Sequence, residues 1–86
     1  MYLHLGEETV VTGKSIIGIF DIENTSISKH TRDFLARSEK NSRIYNVSYE
    51  MPKSFIVCRE KTENSDTVYI SQISAATLKK RVFRQL

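Results

Sequence analysis

The chain begins with an alternation. In "MYLHL", Tyr2 and His4 fall on one side and Leu3 and Leu5 on the other, the period-two pattern of a half-buried strand. Gly6, Glu7 and Glu8 read as a turn, and "TVVT" as a second short strand. Gly13 punctuates before "KSIIGIF", a third strand dense in β-branched residues. Its two sides, Ile17 with Ile19 and Ile16 with Phe20, are both apolar. The pattern therefore predicts a strand covered on both faces. Gly18 within it predicts a bulge or the close approach of another backbone.

The period then changes. Asn24, Thr25 and Ser26 are candidate helix N-caps, and Ile27, Phe34 and Leu35 share one helical face. Asp33 and Arg37 stand four apart, the spacing of an outward ion pair. Asn41 and Ser42 end this helix. "RIYNVSY" returns to alternation, with Tyr45, Val47 and Tyr49 on one side. Pro52 breaks the pattern, since it cannot donate to a strand ladder. "SFIVC" is a continuous apolar run, the mark of a central strand. "REKTENSD" is a charged loop, and "TVYISQI" sets Val68 and Ile70 opposite Tyr69 and Ile73. Ser74 then caps a final helix. At about 100° per residue, Ala75, Leu78, Val82 and Leu86 form one stripe, and Lys80, Arg81 and Arg84 lie opposite with Thr77.

The predicted order is βββ-α-βββ-α: an α+β fold of small antiparallel sheets, closed by a C-terminal amphipathic helix. At 86 residues, 1–86 forms a single domain. No apolar run reaches the length of about 20 residues that spans a bilayer. The start lacks the basic flank and apolar core of a signal peptide. Cys58 is the one cysteine, so no intrachain disulfide forms and a cytoplasmic location is expected.

The net charge of +3 decides little; its distribution says more. Residues 1–24 carry Glu7, Glu8, Asp21 and Glu23 against Lys14 alone, whereas residues 74–86 carry Lys79, Lys80, Arg81 and Arg84 and no acid. The basic helix face reads equally as a grip for nucleic acid or as a solvated end that suits the helix dipole. Tyr45 and Tyr49 beside Arg43 suggest a stacking surface for single-stranded nucleic acid, or else sheet core or an oligomer contact. Catalytic chemistry finds little support. His4 and His30 have no spacing that pairs them with Cys58, the apolar setting of Cys58 suits an inert thiol, and metal-ligand spacing and a phosphate loop are absent. No enzyme activity and no cofactor are expected.

Three stretches carry a resemblance. "YLHLGEETVVTGKSIIGIFD", "PKSFIV" and "VYISQISAATLKKR" together resemble the RemA/RemB family of extracellular matrix regulators over nearly the whole chain. The "HLG" start and "TLKKR" ending are most similar to the RemB-like branch. The resemblance implies a small DNA-binding protein that activates biofilm matrix genes, assembles into ring-like homo-oligomers and presents a basic surface to double-stranded DNA. The family's basic position before the third strand falls at Lys14 or Ser15, with Lys14 supplying the charge. Its arginine-rich turn falls at "EMPKS", where Lys53 is basic and Met51 and Pro52 stand in place of arginines. Lys80, Arg81 and Arg84 form a second basic surface. The implied DNA-binding set is therefore Lys14, Lys53, Lys80, Arg81 and Arg84. The alternative is an oligomeric protein-interaction module that touches no DNA.

Overall fold

A computed structural model describes residues 1–22, 33, 36–37, 43–60 and 65–85. Among the described residues it is an α+β fold with six strands and one continuous helix, at the C-terminus. The helix expected across residues 27–40 lies outside the described residues, apart from Asp33, Ala36 and Arg37, which are helical.

Strands β1 (Tyr2–Gly6) and β2 (Thr9–Thr12) form an antiparallel hairpin. The alternation holds: Leu3 and Leu5 are fully buried, Val11 pairs opposite Leu3, and Tyr2 and His4 face outward. The register slips between His4 and Gly6. Gly6 takes a φ of 119° and Glu7 one of 48°. The tight hairpin turn needs positive φ, which glycine supplies without strain and glutamate does not. His4 Nε2 sits 2.7 Å from the Glu7 carbonyl oxygen, closing the turn.

A single 3-10 turn, Gly13–Ser15, leads into β3 (Ile16–Asp21). With β4 (Arg43–Asn46), β5 (Ser54–Cys58) and β6 (Thr67–Ser71) it forms a four-stranded sheet in the order β3-β5-β6-β4. The expected all-antiparallel arrangement is corrected here: β4 runs parallel to β6 and does not pair with β5. The strand chemistry explains the order. Every residue of β5 is buried, so it requires a neighbour on each side and cover on each face. β4 is short, with Arg43, Tyr45 and Asn46 exposed, and such a strand suits an edge.

A second correction concerns β3. It is the other edge strand, with Ile17 59% and Phe20 45% exposed, so its two faces are not both covered. The bulge at Gly18 is present as a register shift between Ile16 and Gly18. A side chain at Gly18 would place its Cβ 2.6 Å from the Phe20 ring. The glycine thus leaves room for Phe20 to stack on Phe55, with ring centroids 4.9 Å apart and planes 16° from parallel.

The sheet has one heavily covered face. Ile56 and Cys58 of β5 pack with Leu3, Leu5, Val11, Val47 and Leu78, so the hairpin and the C-terminal helix lie over this side. Alternate residues Phe55 and Val57 join Val68 on the opposite face. Two fully buried serines tie the layers. Ser71 Oγ donates to the Leu5 carbonyl at 2.6 Å and accepts from the Ile73 N–H at 3.0 Å. Ser54 Oγ donates to the Ile73 carbonyl at 2.7 Å.

The C-terminal helix spans Ala75–Arg84, about 15 Å. Ser74 caps it, accepting from the Thr77 N–H at 3.1 Å. Ala75 and Leu78 are buried and Val82 packs against the same core. Fully burying one leucine such as Leu78 stabilises by roughly 1.5–3 kcal/mol.

Candidate nucleic-acid interface

Lys14 is exposed in the 3-10 turn. The backbone there is fixed: Ser15 Oγ donates to the Thr12 carbonyl at 2.7 Å, and the Ser15 carbonyl accepts from the Arg59 N–H at 2.8 Å. Arg59, just past the end of β5, pairs with Asp66 at 2.6 Å. Lys53 is exposed just before the start of β5. Its N–H donates to the Ser71 carbonyl and its carbonyl accepts from the Ile22 N–H, both at 2.9 Å. Both lysines therefore project from anchored backbone. They stand at opposite ends of β5, separated by about 20 Å at the usual rise per strand residue, and do not form one patch.

The helix cations divide. Lys80 and Arg84 are exposed, as the helical wheel predicts. Arg81 does not join them. It is half-buried, and its Nη1 donates to the His4 carbonyl at 3.0 Å. One turn on, Gln85 Nε2 donates to the Tyr2 carbonyl at 2.8 Å. Tyr2 and His4 are alternate residues, so their carbonyls point the same way, along the edge of β1 that faces away from β2. Arg81 and Gln85 thus cover an otherwise unpaired strand edge, a standard way of blunting it. No spacing in the sequence singles this pair out, because its partners are backbone carbonyls in the first strand.

Lys79 joins the exposed cations, and beside it stands a residue that the charge pattern passed over. Phe83 is 77% exposed on the outer helix surface. The tyrosine stripe, by contrast, does not form. Val47 turns into the core, Tyr49 stands fully exposed, and Tyr45 meets Tyr69 edge-on, with ring centroids 5.8 Å apart and a 61° angle. Tyr45 and Tyr69 line a cleft of about 580 Å³ with Val10, Arg43, Cys58 and Glu60.

Cys58 is buried. Burial pushes its thiol pKa up, a hydrogen bond with Ser15 opposes this, and the Glu60 charge adds to the rise. The thiol is held protonated, which is unsuited to nucleophilic or ligand chemistry. Among the described residues, no group of three or more His, Cys, Asp or Glu side chains comes together as a metal site, and no helix is long and apolar enough to cross a membrane.

Comparison with known proteins adds a second line. The RemA-like family model, described as extracellular matrix regulatory protein A-like, matches residues 2–82. Extracellular matrix regulatory protein B of Bacillus subtilis (strain 168) is 36% identical over 81 residues, covering 94% of this chain and 89% of that protein.

Proposed function

Because the chain belongs to the RemA-like family, we propose that it is a cytoplasmic, homo-oligomeric, non-enzymatic regulator of extracellular matrix genes that binds double-stranded DNA through its backbone. Lys14, Lys53, Lys80 and Arg84 supply the phosphate contacts, and Arg81 holds the helix that carries two of them. The observation that supports this reading most is the placement of the cations. Lys14, Lys53, Lys80 and Arg84 are all exposed on ordered backbone. Lysine lacks the two-pronged fork of arginine but delivers the charge that releases counterions from DNA. Nothing in these elements inserts a base-reading helix, so DNA shape and repetition of the subunit would supply preference.

The test combines mass in solution with binding to long duplex DNA across a salt series. The expected result is an oligomer whose DNA affinity falls steeply with salt. The double variant Lys14→Ala, Lys53→Ala should flatten that slope by about 2 for each engaged subunit. A monomer, or an unchanged slope, refutes the reading. The exposed apolar Ile17 and Phe20 on the β3 edge favour a second reading, a protein-interaction module. An oligomer that binds no DNA at low salt would select it.

A further inference from the structure

Phe83 is a large apolar side chain left in solvent on a helix whose other face already serves the core. At about 100° per residue it lies between Lys79 and Lys80 on the outer surface, with Arg84 beside them. All three cations are exposed, and residues 74–86 contain no acid to neutralise them. The platform is preorganised. Leu78 is fully buried, Arg81 is tied to the His4 carbonyl and Gln85 to the Tyr2 carbonyl. A ligand binding there would not have to order the helix. Tyr2 stands at the same end, 69% exposed on the outer side of the hairpin.

We propose that this face binds DNA with unpaired bases, a base stacking on Phe83 while Lys79, Lys80 and Arg84 hold the neighbouring phosphates. The proposal rests on the DNA-binding reading above and adds unpaired DNA as a second form that the same helix cations hold. A paired, stacked base offers no face to an aromatic ring, whereas an unpaired one does, with little regard to sequence. The cations match the phosphates in sign. A membrane surface fits less well: an interfacial helix needs a free apolar face, and here Leu78 and Val82 are committed to the core and Ala75 is buried.

The experiment measures binding of the full chain to fluorescent oligothymidine and to a duplex of matching length, for wild type, Phe83→Ala and Phe83→Tyr. Phe83 is exposed, so folding is not at stake, and a thermal melt verifies this. The expected result is a loss of about tenfold on oligothymidine for Phe83→Ala, retention for Phe83→Tyr, and little change on duplex. The oligothymidine salt slope should be about 2, as three cations on a single strand imply. An unchanged oligothymidine affinity in Phe83→Ala overturns the proposal, as does an equal loss on both DNA forms. So does a Phe83-dependent affinity for phosphatidylglycerol vesicles without single-strand binding, or a drop in oligomer mass in Phe83→Ala, which would make the ring a subunit contact. If wild type binds duplex but not oligothymidine, this inference falls and the DNA reading stands; if it binds neither, both fall.

Discussion

Replacing Arg81 by alanine separates a structural cation from those proposed to bind DNA. The guanidinium donates to the His4 carbonyl at 3.0 Å, 77 residues away in sequence, and so clamps the last turns of the helix to β1. A hydrogen bond from a charged donor contributes about 1.5–3 kcal/mol when well shielded. Arg81 is half-buried and the bond is exposed, so solvent screening brings the expected loss to about 1 kcal/mol. For a domain of this size that corresponds to a melting temperature lower by about 4–8 °C. Lys80→Ala and Arg84→Ala, at exposed positions, should stay within about 0.5 kcal/mol of wild type. Urea denaturation of the three variants at neutral pH provides the comparison. DNA affinity, measured well below each melting temperature, should show the reverse order, with Lys80→Ala and Arg84→Ala weaker binders than Arg81→Ala. If Arg81→Ala is as stable as Lys80→Ala and loses at least as much DNA affinity, the edge-covering role is wrong and Arg81 rejoins the binding surface.

Two further outcomes test the packing. Ser71→Ala removes both bonds of a fully buried hydroxyl and leaves the Leu5 carbonyl and the Ile73 N–H without that partner. The expected cost is about 3 kcal/mol, read from the denaturation midpoint, and a loss under about 1 kcal/mol would refute the link between hairpin and sheet. Cys58 should react slowly with a thiol reagent at mildly alkaline pH and rapidly once denaturant is added, because burial disfavours its thiolate. The sign follows from linkage: a thiol pKa raised by folding leaves stability intact at neutral pH and erodes it as pH climbs past the thiol's ordinary value. Cys58→Ala should remove that part of the alkaline decline, and fast labelling of the native protein would contradict the burial.

What the sequence made legible was local. The central strand followed from five apolar residues in a row, the final helix from its stripe and its serine cap, and the bulge from one glycine in a β-branched run. Strand pairing is non-local, and there the reading failed. The polar ends of β4 did not reveal that it would run beside β6, and the apolar faces of β3 gave no sign that it would end the sheet. Ser54 and Ser71 look like ordinary strand polar residues until the layers they join are placed. In the candidate site, the basic character of Lys14 and Lys53 was legible, and the resemblance singled them out. Their separation was not, and neither was the turn of Arg81 away from its neighbours, because its partner is a backbone carbonyl in the first strand.

That separation bears on how DNA binding would have to work. Charges more than about 8 Å apart act nearly independently at physiological ionic strength. Lys14 and Lys53, about 20 Å apart across the ends of β5, therefore give one subunit two isolated footholds rather than a patch. Two independent contacts hold DNA weakly at physiological salt. A two-fold contact made at one end of β5 would close after two copies and leave the lysines at the other end far apart. A head-to-tail contact that joined the Lys53 end of one copy to the Lys14 end of the next would instead alternate them along a continuous basic track. Each added copy then converts a weak site into part of a multivalent one. For these cations to bind DNA usefully, the assembly has to contribute as much as the residues do, which is why mass in solution and salt slope belong in the same experiment.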